Sequence, residues 1–137
     1  MPAAASLVTY IWIALGGALG SVARFAVSGA VARLVGETFP WGTVVVNVSG
    51  CLLIGLLATI TGVDGRVLVQ PDLRQFLLIG ICGGYTTFSS FSLQTLSLMR
   101  SGDLAGAVGN VTVSVLACLA AVWAGAAIGQ ALNQVRG

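Results

Sequence analysis

The chain has 137 residues, 57% hydrophobic and only 7% charged, and its net charge of +2 comes from six basic and four acidic side chains. So few charges exclude an ordinary soluble domain, in which about a quarter of residues are charged, and six scattered arginines form no basic patch for nucleic acid. Histidine is absent, which removes imidazole metal sites, haem axial histidine and histidine-based catalysis.

A membrane-crossing helix takes about 20 apolar residues, and the sequence predicts four, in an all-α membrane protein with one four-helix domain over 1–137 and no internal repeat. The first apolar run extends over 7–34 and is interrupted by Arg24. Met1–Ser6 carry no basic side chain, so this run reads as a retained span rather than a cleaved signal. Gly36, Glu37 and Pro40 punctuate the chain before a second span over 41–63, and Pro40 suits the first turn of a helix. Within that span, Asn47 places an amide in a strongly apolar segment, with Thr43 one turn earlier on the same face. Such an amide serves either as interhelical glue or as an N–H donor to an anion.

After a polar loop, Pro71-Asp72 reads as a helix start, and the third span covers 76–99. Inside it lies Gly83-Gly84-Tyr85-Thr86-Thr87-Phe88-Ser89-Ser90-Phe91-Ser92, a poor stretch to face lipid. Its glycines and threonines predict a helix broken in mid-membrane, with unpaired carbonyls before the break and N–H groups after it. Phe88 and Phe91 share one face and Ser89 and Ser92 a neighbouring one. Ring edges and hydroxyls are suited to a small anion. Equally, a serine-rich packing face bonds its hydroxyls to the preceding turn. Arg100–Asp103 forms a turn, and the fourth span follows over 104–132, with Asn110 and Ser114 one turn apart.

Several features bear on the whole chain. Cys51, Cys82 and Cys118 lack metal-ligand spacing and read as small buried residues. The sequons at Asn47 and Asn110 fall at membrane depth, where no surface loop exists for glycosylation. Four spans put Arg66, Arg74 and Arg136 on one side and Arg33 and Arg100 on the other, almost no bias for the positive-inside rule. The chain either inserts both ways or takes its orientation from something subtler. Gly16/Gly20, Gly80/Gly84, Gly102/Gly106 and Gly125/Gly129 are small-residue pairs that allow close helix approach. As four thin helices do not readily enclose a polar path alone, they point to a homo-oligomer.

The segment Gly83–Ser92, together with Trp41-Gly42-Thr43 and Asn47 and with Gly16-Gly17-Ala18-Leu19-Gly20 and Arg24, resembles the signature motifs of the Fluc (CrcB) family of bacterial fluoride channels. The resemblance spans the whole chain. It implies dual-topology insertion in the inner membrane, an antiparallel homodimer in lipid, and two fluoride pores along the subunit interface. It also implies a central structural Na+ held by the backbone carbonyls of Gly83 and Thr86. Phe88 and Phe91 correspond to pore-lining rings and Asn47 to the pore amide. Thr43 and Ser114 correspond to polar lining and Arg24 to a vestibule arginine, while Ser89 and Ser92 add hydroxyls to the fluoride path. The sequence departs from the family pattern at Asn110, where many members carry Tyr, and at Cys118, where many carry Gly. Tyr85 takes a position expected to be apolar.

The resulting expectation is a passive, fluoride-selective channel. A small dual-topology cation transporter is the main rival, but it should have an intramembrane carboxylate, and no Asp or Glu lies within the expected spans. A structural subunit of a membrane complex would explain the glycines but not the pairing of Phe88 and Phe91 with Asn47. An enzyme lacks a nucleophile–base pair or metal cluster.

Overall fold

A computed structural model describes residues 5–135, which fold as helices joined by short turns; Arg136 of the arginine tally lies outside the described residues. Helix α1 (Leu7–Val35) starts where the Ser6 hydroxyl accepts the Thr9 N–H, and it stops at Gly36, whose φ of 86° is open to glycine at little cost. Helix α2 (Trp41–Ile60) follows Pro40. The third span starts at Pro71, in the first-turn position where its missing N–H is harmless. Its first half, α3 (71–85), passes through a π-helical stretch at Phe76–Cys82, and its second half is α4 (Phe88–Arg100). Gly102, at φ 86°, turns the chain into α5 (Leu104–Gln134), capped by Asp103, whose carboxylate accepts the Gly106 N–H at 2.8 Å.

Among the described residues, four helical segments, with 71–100 counted as one, are long and apolar enough to cross a membrane. The third is bent, but not at its glycines. Gly83 and Gly84 remain helical, and the backbone becomes extended at Thr86 (ψ 159°) and Thr87 (φ −153°). Gly84 is needed for packing instead, because a Cβ there would lie 2.7 Å from the Gly17 carbonyl oxygen.

The helices form two parallel seams. Along the first, α1 meets α3 backbone to backbone: a Cβ on Gly16 would lie 2.9 Å from the Gly80 Cα, and one on Gly20 would lie 2.8 Å from the Tyr85 nitrogen. Contacts advance together on both helices, so the two run parallel. Along the second, α2 meets α5, where Gly55 faces the Val122 carbonyl and Gly125 the Leu52 carbonyl. Three of the small-residue pairs are therefore used within the chain, and they carry no argument for an oligomer. Gly102/Gly106 belongs to the turn and the cap, not to a helix seam. Loop 61–70 is tied down by Asn133, which accepts the Arg66 N–H at 2.8 Å and donates to the Thr59 carbonyl. At the same end, the Thr9 hydroxyl donates to Asp72 at 2.6 Å, and the Arg74 guanidinium donates to the Thr61 carbonyl.

Candidate functional site

An extended stretch at membrane depth leaves backbone groups without helix partners, and lipid offers them none. Asn47 supplies what the break at 86–87 lacks. Its Nδ2 donates to the Thr87 carbonyl at 2.9 Å, and its Oδ1 accepts the Thr87 N–H at 2.7 Å. One amide thus replaces both helix bonds of one residue. The Thr87 hydroxyl in turn caps α4 by accepting the Ser90 N–H at 3.1 Å, and it lies 3.3 Å from the Ser89 hydroxyl.

These bonds have a consequence for the carbonyls before the break. In an unbroken helix the Thr87 N–H would bond the Gly83 carbonyl, and the Ser90 N–H would bond that of Thr86. Both donors are directed elsewhere. Gly83 is exposed, and a Cβ on it would meet only the Leu78 carbonyl oxygen, at 3.8 Å. Two carbonyl oxygens released in this way have the donor chemistry a hard monovalent cation requires, so the residues fit the expected Na+.

Tyr85 has a partner after all. Its hydroxyl lies 2.8 Å from that of Ser49, which also donates to the Val46 carbonyl, and Gly50 leaves room for the Tyr85 ring and the Thr86 methyl against α2. The break is therefore held from one side by three positions within one turn of a single helix: Asn47, Ser49 and Gly50.

Phe88 and Phe91 face each other with centroids 5.3 Å apart and planes at 49°. Phe91 is 8% exposed, whereas Phe88 is 78% exposed and points away from the rest of the chain. Ser89 and Ser92 are also exposed, and the Ser92 hydroxyl bonds back to the Phe88 carbonyl at 2.9 Å. Ser114 is buried on α5 and donates to Asn110.

Arg24 and Thr43 meet in a cavity of about 750 Å³ between α1, the start of α2 and α4, whose inner end includes Thr87. Among the described residues, no hydrogen bond or ion pair engages the Arg24 guanidinium. Ser21, Ser28, Ser90, Gln94 and Ser97 line the same space. Sequence reasoning missed them, although the signal was there. Ser21, Arg24 and Ser28 are spaced by three and four, as are Ser90, Gln94, Ser97 and Ser101, so each set forms a polar stripe on one helix face. The Gln94 Oε1 is buried without a partner among the described residues, an acceptor left for water or solute entering the cavity. A positive side chain above hydroxyls, with no carboxylate deeper than Glu37 near the loop, makes this vestibule attractive to anions.

The predicted residues therefore form three groups within one chain. Arg24 and Thr43 lie in the vestibule, Asn47 with Gly83 and Thr86 at the break, and Phe88, Phe91, Ser89, Ser92 and Ser114 on or behind α4.

The family model described as CrcB-like protein, Camphor Resistance (CrcB), matches residues 11–126. A protein of Methylocella silvestris named fluoride-specific ion channel FluC is 55% identical over 128 residues, covering 93% of this chain and 98% of the relative. One of the same name from Opitutus terrae is 58% identical, covering 93% and 97%. Another, from Rhodospirillum rubrum, is 56% identical, covering 85% and 91%.

Proposed function

We propose that this chain, which belongs to the CrcB-like family, is a passive fluoride channel of the bacterial inner membrane. High identity along nearly the whole length of relatives that share one name carries the choice of ion. Hydrogen fluoride that enters from an acidic medium dissociates in the cytoplasm, and the trapped anion needs an exit. A channel that lets it leave down its electrochemical gradient requires no energy-coupling domain. Nor do we assign any enzymatic activity.

The route begins at the vestibule, where Arg24 concentrates the anion among serine hydroxyls. Past Thr43 and Asn47, fluoride meets Phe88 and Phe91, whose ring edges carry the positive part of the aromatic quadrupole. Ser89 supplies a hydroxyl along this path, and Ser92 and Ser114, whose protons go to the Phe88 carbonyl and to Asn110 within the chain, would join it by turning those protons toward the ion. Donors without a full charge bind moderately, which conduction requires. The exposure of Phe88 to the outside of the chain supports an antiparallel homodimer whose two pores lie along the subunit interface. Dual-topology insertion accompanies that arrangement. The freed carbonyls of Gly83 and Thr86 would hold a structural Na+ there, and its charge would offset their dipoles where the subunits meet.

The test is anion efflux from liposomes containing the purified protein. Fluoride release without chloride release is expected, and equal release of both would overturn the selectivity.

A further inference from the structure

A line of hydrogen bonds runs from α5 to α4 and ends on the residue that carries the buried ring. The Ser114 hydroxyl donates to Asn110 Oδ1 at 3.3 Å, Asn110 Nδ2 donates to the Thr95 hydroxyl at 2.9 Å, and that hydroxyl donates to the Phe91 carbonyl at 2.8 Å. Every donor points the same way. Asn110 is 1% exposed, so both ends of its amide are committed inside the chain.

A threonine hydroxyl bonded to the carbonyl four residues back bends a helix slightly. Here the turn so engaged runs from Phe91 to Thr95, just beyond the first turn of α4. Asn110 fixes the direction of the Thr95 hydroxyl from a different helix, and so fixes the turn. Phe91, unlike Phe88, is buried against its own chain, so its ring is the member of the pair that the chain itself can position.

We infer that Asn110 is a positioning residue for conduction: through Thr95 it sets the Phe91 ring, and it does not itself touch the passing anion. This inference rests on the reading of the chain as a fluoride channel. It accounts for a fully buried amide in the fourth span by a job in the third.

The experiment places 4-fluorophenylalanine at position 91 of the full chain. It records the ¹⁹F resonance together with fluoride flux at several fluoride concentrations. Thr95→Val and Asn110→Leu should shift or broaden the resonance and lower maximal flux roughly fivefold, the effect of one lost hydrogen bond on a barrier, without moving the half-saturating concentration. Thr95→Ser keeps the hydroxyl and should restore both readouts. If Asn110→Leu does not assemble, Thr95→Val decides alone. An unaltered resonance and flux in Thr95→Val would overturn the inference, as would a Thr95→Ser variant as impaired as Thr95→Val. If the unsubstituted protein passes no fluoride, the channel reading falls, while the Phe91 resonance still decides whether Asn110 sets that ring.

Discussion

The two halves of the third span are held by opposite means. Before the break, α3 lies on α1 through Gly16, Gly20, Gly80 and Gly84, backbone against backbone. After it, α4 carries hydroxyls and an amide and is fastened by directed hydrogen bonds from Asn47 and Asn110. Inside a bilayer the hydrophobic effect does not draw helices together, which leaves close packing and hydrogen bonding as the available forces. The first fails when an atom is added, and the second fails when a donor is removed. The half packed on α1 is built the first way, and the half that carries the proposed ion-facing residues is built the second way.

The largest expected effect breaks the packed half. Gly20→Val places a branched side chain against the Ile81 carbonyl and the Tyr85 nitrogen, and overpacking on rigid backbone should cost about 3 kcal/mol or more in thermal unfolding in detergent. Gly17→Ala is the control, because its Cβ would meet nothing within 4 Å. Equal stability of the two variants would dissolve the contrast between the halves. Next in size, Asn47→Ala strands the Thr87 N–H and carbonyl, at about 1–3 kcal/mol for each buried unpaired group. It should abolish most fluoride flux in liposomes, and wild-type flux would return Asn47 to a packing role. The smallest effect is that of Tyr85→Phe. It removes one hydroxyl contact with Ser49, should cost about 1 kcal/mol, and should leave flux unchanged. A non-conducting Tyr85→Phe would mean that the hydroxyl reaches the ion path.

The parts of the fold that were legible in the sequence rest on local chemistry. Pro71, Asp103 and the arginine-bounded apolar runs mark helix ends because capping and hydropathy are properties of neighbouring residues. The break was legible as a composition, but its position was not. The glycines and threonines together marked the break, and of these only Thr86-Thr87 leave the helix, because a distant amide on α2 satisfies the extended backbone there. The vestibule serines were visible as stripes with helical spacing. That two stripes from α1 and α4 face one cavity depends on helix packing, which no local pattern encodes. The glycine pairs were legible as sites of close approach, but their partners, within the chain or beyond it, were not.

The α1–α3 seam has a consequence at the level of the gene. Any single-base missense change in a glycine codon yields a residue with at least a Cβ, and at Gly16, Gly20, Gly80 and Gly84 even that first carbon meets backbone. Those four codons have silent neighbours but no conservative missense one, so the residue cannot change there by a small step. The serines and threonines across the break can exchange hydroxyl for hydroxyl in one base, so α4 has small steps open to it that the glycine seam lacks.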